Sequence, residues 1–216
     1  MTDSTILKIR KPGMRSLKSF ALHAVLFGTV AISLQGCIEM AVGTAVVSTL
    51  AATDRRTFGA QTEDKSIVLK GEARMTNVFG DSAHISITSF NRKALLTGEV
   101  KDAEAKQSAE REIAAIEGVQ SVANELEVAP VSNYTSRSND ALITTKVKAS
   151  FVDQKDLSAN ALKVVTERGT VFLMGRVTSA EGRLAGEITS GVSGVRKVVK
   201  LFEYITDEEL SKLTPK

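Results

Sequence analysis

The chain carries one pattern twice, and that repetition constrains its fold more than any other feature. "ALLTGEVKDAE" from Ala94 reads against "VFLMGRVTSAE" from Val171, placing Leu96 over Leu173, Gly98 over Gly175, Val100 over Val177 and Ala103-Glu104 over Ala180-Glu181. Further on, "EGVQSV" (Glu117 to Val122) reads against "SGVRKV" (Ser193 to Val198), with the offset one residue shorter. Upstream, Asp64, Ile67, Lys70 and Ala73 read against Asp140, Ile143, Lys146 and Ala149 at that shorter offset. Two copies of one unit is the economical explanation.

Each copy has the same order of signals. A polar start with a capping residue predicts a helix over residues 64–76 and 139–152. Alternating strands follow, through Ile85, Ile87 and Ser89 or Leu162, Val164 and Thr166. A tight turn, "NRK" or "ERGT", leads to a second apolar strand ending at Gly98 or Gly175. A helix over 102–116 or 179–192 precedes Gly118 or Gly194, each placed as a C-terminal helix glycine. A last strand over 119–128 or 195–205 closes the unit. The order αββαβ predicts an α+β fold, each unit a three-stranded mixed sheet covered on one face by two helices. The first domain spans 63–129 and the second 138–206, with a polar, proline-containing linker over 130–137 and a tail over 207–216.

The first 36 residues have a different character. Lys8, Arg10, Lys11, Arg15 and Lys18, with Asp3 the one acid, precede the apolar run "FALHAVLFGTVAISL" from Phe20 to Leu34. A basic start, an apolar stretch and a small residue at its end form a secretory signal. Fifteen residues at ~1.5 Å each fall short of a ~30 Å bilayer core, and Gln35 and Glu39 interrupt any longer span. The chain's single cysteine, Cys37, follows Gly36 directly. A core cysteine, a catalytic nucleophile and an attachment point compete there. Its borders are low-complexity apolar stretches and not a fold, and the mature chain holds one histidine, His84, with no shared motif, so attachment is favoured. Leu34-Gln35-Gly36-Cys37 resembles the lipobox of bacterial lipoproteins. That resemblance implies a leader over 1–36, a lipidated Cys37 as first mature residue and a tether over 37–62. Two or three acyl chains, palmitate among them, hold a protein on a membrane essentially permanently. Asp after the cysteine retains such lipoproteins at the inner membrane. Ile38 stands there, which favours the periplasmic face of the outer membrane.

The αββαβ order, the strand-end glycines Gly98 and Gly175, and the pairs Gly118-Val119 and Gly194-Val195 resemble the BON domain. Two such domains behind a lipobox, with "ATDRRTFGAQTEDKSI" before the first and "SNDALITTKV" opening the second, are similar to the dual-BON-domain outer-membrane lipoproteins. That family is division- and outer-membrane-stress-associated and lipid-binding. The resemblance implies a role in envelope integrity and enrichment at division sites.

The full chain has a formal charge of +3, which raises nucleic acid as a partner. Removing the leader's five basic residues and one acid from 28 and 25 leaves 23 and 24, so the mature chain is near −1. The basicity belongs to export, and no nucleic-acid partner follows. Catalytic chemistry is also missing. No GxGxxG or GK[ST] surrounds the glycines. One histidine and one lipidated cysteine give no metal-ligand spacing, and no cofactor is expected. A binding protein and not an enzyme is expected.

The helix "ALITTKVKASFV" supplies the candidate surface. At about 100° per residue Ile143, Val147 and Phe151 form a core stripe. Leu142, Ala149 and Val152 lie off that stripe, flanked by Lys146 and Lys148. An apolar face bordered by lysines suits an anionic, phosphatidylglycerol-like membrane surface, while packing on the other domain is the plain alternative. The resemblance implies anionic phospholipid binding by the second domain through this helix. The family pattern can place tryptophan at the Leu142 position, and this chain has none. Ser66, Lys70, Ala73 and Thr76 occupy the equivalent places in the first copy, which lacks the apolar pair. The competing function is a periplasmic scaffold that binds an envelope protein or peptidoglycan.

Overall fold

The computed structural model describes residues 54–213. The leader, Cys37 and the rest of the chain before Asp54 lie outside the described residues. The first repeat runs α1 (Phe58–Phe79), β1 (His84–Phe90), β2 (Lys93–Val100), α2 (Ala103–Ala114), β3 (Ser121–Asn124) and β4 (Glu127–Val128). The second runs α3 (Tyr134–Val152), β5 (Leu162–Glu167), β6 (Thr170–Val177), α4 (Ser179–Ser190), β7 (Lys197–Lys200) and β8 (Glu203–Tyr204). A short α5 (Asp207–Leu213) follows.

In each repeat the middle strand is antiparallel to the first and parallel to the last. The last strand comes in two pieces, β3 with β4 and β7 with β8, that keep one register on the middle strand. Glu125 N–H still donates to Leu96 C=O (3.0 Å), and Leu201 N–H to Leu173 C=O (2.8 Å), so pairing carries across the break. At the break the chain turns Leu126 and Phe202 into the cores. The expected mixed sheet of three strand paths, with two helices on one face, is therefore present twice.

The middle strands have period-two faces with both sides buried. Ala94, Leu96 and Val100 join Ile67, Ile113 and Ala109 beneath the helices. Val171, Leu173 and Val177 do the same with Ile143, Val147 and Phe151. The alternate residues Leu95, Phe172 and Met174, with Phe90, form a third cluster belonging to both repeats. The helix-free faces of the two sheets meet there, and the two repeats share one compact unit. A continuous apolar run such as "VFLM" is what a strand buried on both faces requires.

Both opening helices start earlier than their apolar periodicity predicts. Thr57 caps α1 by accepting from Ala60 N–H, and Asn133 caps α3 by accepting from Ser136 N–H. Gly118 and Gly194 are not helix caps. α2 ends on Ala115 and α4 on Gly191, and the two glycines lie further on with φ of 92° and 101°, turning the chain into the last strand.

Candidate functional site

α3 has two faces. Asp140, Ile143, Val147 and Phe151 are buried. Leu142 is 61% exposed and Val152 73%, and Lys146, Lys148 and Ala149 are exposed as well. All five residues of the candidate surface therefore point out of the fold, and no part of the first repeat covers Leu142 or Val152. The helix is anchored beneath by Asp140, whose carboxylate accepts the N–H groups of Arg168 and Gly169 at 2.8 Å each. Thr144 donates to or accepts from Thr166 across a 2.7 Å hydroxyl pair, fixing α3 against β5.

The early start of α3 adds a residue that the apolar pattern misses. Tyr134 is 82% exposed, at the first position of the helix, with the Arg137 guanidinium 4.6 Å from its ring centroid. Eighteen residues separate it from Val152, five full turns, so both lie on one side of the helix. An aromatic ring with a polar tip beside a cation suits a headgroup region. The first copy also exposes more apolar surface than its four equivalent positions indicate. Phe58 is 84% exposed and Leu69 68%, both on α1.

A second cluster lies where the repeats meet. Glu99 is fully buried, beside His84 (Nδ1 to Oε2, 3.2 Å), and accepts from Ser132 N–H at 3.2 Å. Arg168 Nη1 stands 3.6 Å from the other Glu99 oxygen, while its Nε pairs with Glu127 at 3.2 Å. Glu167 is half-buried. Burial first, then the charges of Glu99 and Asp140, push its carboxyl up to about 7 against the pull of Arg137 and Arg168. None of this was readable from spacing, because His84 and Glu167 belong to different repeats.

The seam is also pinned by the segment before α1. Arg55 reaches the second repeat, donating to both Glu181 oxygens (2.7 and 2.8 Å) and to Arg176 C=O (2.8 Å). Asn91 donates to Glu203 at 2.6 Å. Among the described residues no helix is long and apolar enough to cross a membrane.

The BON-domain model matches residues 69–130 and 139–206. The chain is 37% identical over 185 residues to "Outer membrane lipoprotein DolP" of Haemophilus influenzae, covering 84% of this chain and 95% of that protein. It is 30% identical over 154 residues to "21 kDa hemolysin" of Actinobacillus pleuropneumoniae, covering 70% of this chain and 79% of the relative.

Proposed function

This chain belongs to the BON-domain family, with two copies of the domain, and we propose that it is a lipid-anchored protein of the outer membrane's periplasmic face that binds anionic phospholipid through α3. The likeness to an outer-membrane lipoprotein over nearly the whole chain supports the location. The lipobox at Cys37 supports the anchor. The role is non-enzymatic: the protein helps to maintain outer-membrane integrity, at division sites as the family resemblance implies.

One observation carries the lipid reading. α3 fills the core with one side and presents Leu142 and Val152, flanked by Lys146 and Lys148, on the other. Apolar side chains exposed at 61% and 73% lose water on entering an interface, while the lysines meet phosphate. Tyr134 extends the same surface toward the start of the helix. The exposed Phe58 and Leu69 of α1 favour a second reading, contact with an envelope protein or peptidoglycan through the first domain.

Flotation of unlipidated residues 53–216 with vesicles separates the two. The expected outcome is enrichment with phosphatidylglycerol vesicles over neutral ones, reduced by salt as the ~8 Å physiological Debye length shortens. Equal recovery with both vesicle types overturns lipid binding and leaves the scaffold reading. The acyl anchor is tested by mass spectrometry of the amino-terminal peptide, where an unmodified Cys37 or an intact leader ends it.

A further inference from the structure

We propose that His84, Glu99 and Glu167 form a divalent-cation site of the zinc class, bridging the two repeats at their seam. His84 opens β1 directly opposite Glu99 on β2, and Glu167 ends β5 of the other repeat. One ligand atom from each lies within 4.8 Å of the others. An imidazole nitrogen with two carboxylate oxygens is a donor set zinc accepts, leaving a fourth position for water. Magnesium and calcium favour oxygen alone, so the histidine selects against them.

The carboxylates carry a second, independent sign of a missing partner. Glu99 is 0% exposed, yet its Oε1 accepts no hydrogen bond. The Oε1 of Glu167 is buried and accepts none either. Buried polar atoms in folded proteins nearly always find a partner. Arg168 does not fill the role, standing 3.6 Å from Glu99 Oε1 while its Nε holds Glu127. His84 and Glu167 also line an open cleft of about 510 Å³, which gives an ion its way in. With two ligands from the first repeat and one from the second, a bound ion would clasp the domains.

The test is zinc titration of the full-length protein, purified in detergent and stripped with EDTA, by calorimetry and thermal melting. The expected result is a 1:1 complex that raises Tm, with no rise from magnesium at the same concentration. His84→Gln and Glu167→Gln, both at the edge of the fold's cores, should each weaken zinc binding at least tenfold while melting normally without metal. Failure of wild type to bind zinc at about 100 µM overturns the site. So does binding that both variants leave intact, which would place the ion elsewhere.

Discussion

In the turn between β1 and β2, Asn91 and Arg92 both hold left-handed backbone, with φ of 50° and 65°. The second repeat solves the same turn with Arg168 and Gly169, at φ of 49° and 75°. Two positive φ values in a two-residue connection match the strand twist, and they favour glycine at the second position. What holds a non-glycine pair there is the repeat aspartate. Asp64 accepts the N–H groups of Asn91 and Arg92 at 2.8 Å each, the Ser89 hydroxyl at 2.6 Å and Arg56 Nη1 at 2.8 Å. Left-handed backbone costs a side-chain-bearing residue about 1–2 kcal/mol, and glycine gives back about 0.5–1 kcal/mol through the freedom of the unfolded chain. Arg92→Gly should therefore stabilise the protein by about 0.5–1 kcal/mol, read as a higher denaturant midpoint with an unchanged slope. Gly169→Ala should destabilise it, since a Cβ there also meets the Arg196 side chain at 3.0 Å. A loss of stability in Arg92→Gly would show that its side chain, and not the turn, governs the position.

At the scale of the element, α3 separates what the sequence discloses from what it hides. Its rotation about its axis was legible, because Ile143, Val147 and Phe151 recur at helical spacing and only one phase buries all three. Its start was not. Ser132, Asn133, Thr135, Ser136, Ser138 and Asn139 can each cap a helix, and only the fold selects Asn133. Tyr134 was lost with the five helical residues 134–138 that precede the expected start. The pairing of the seam was hidden for another reason: Arg55 and Glu181 stand 126 residues apart, and no local pattern encodes a partner at that distance. The legible part makes a sharp prediction. Ile143→Glu should unfold the second domain by burying an unpaired charge. Leu142→Glu and Val152→Glu should melt like wild type and lose phosphatidylglycerol vesicles at any salt. Lys146→Ala and Lys148→Ala should each remove about 1 kcal/mol of attraction, a loss that added salt masks. Thermal melting beside vesicle binding for the five variants checks this. If Leu142→Glu and Val152→Glu fold normally and still bind vesicles as wild type does, the outer face of α3 is not the lipid surface.

Across the whole molecule, neither repeat is finished alone. Each leaves one face of its sheet bare of helices, and the Phe90, Leu95, Phe172 and Met174 cluster closes both faces at once. The charged clasp beside it is Arg55 with Glu181, whose side chains are 5% and 11% exposed. Burial alone would raise the Glu181 carboxyl. Its two hydrogen bonds from Arg55 and those from Thr178 outweigh that, and hold it below the ordinary value of 4.5. A carboxylate depressed on folding adds stability that is fully present above the unfolded value and is lost as pH falls through the lower folded value. Breaking a buried pair by neutralising one partner leaves the other charge uncompensated, at a cost of about 3 kcal/mol. Glu181→Gln should therefore lower stability by about that amount at pH 7, because it strands the Arg55 guanidinium between the repeats. Below about 4.5 the unfolded wild-type chain takes up the proton first and the folded carboxylate follows only at its lower value, so the advantage over the variant should shrink as pH falls through that window. Denaturant unfolding of both proteins from pH 7 downward measures the difference. A gap that stays constant across this range would mean that the carboxylate's charge contributes nothing, and that shape and the apolar cluster alone hold the two repeats together.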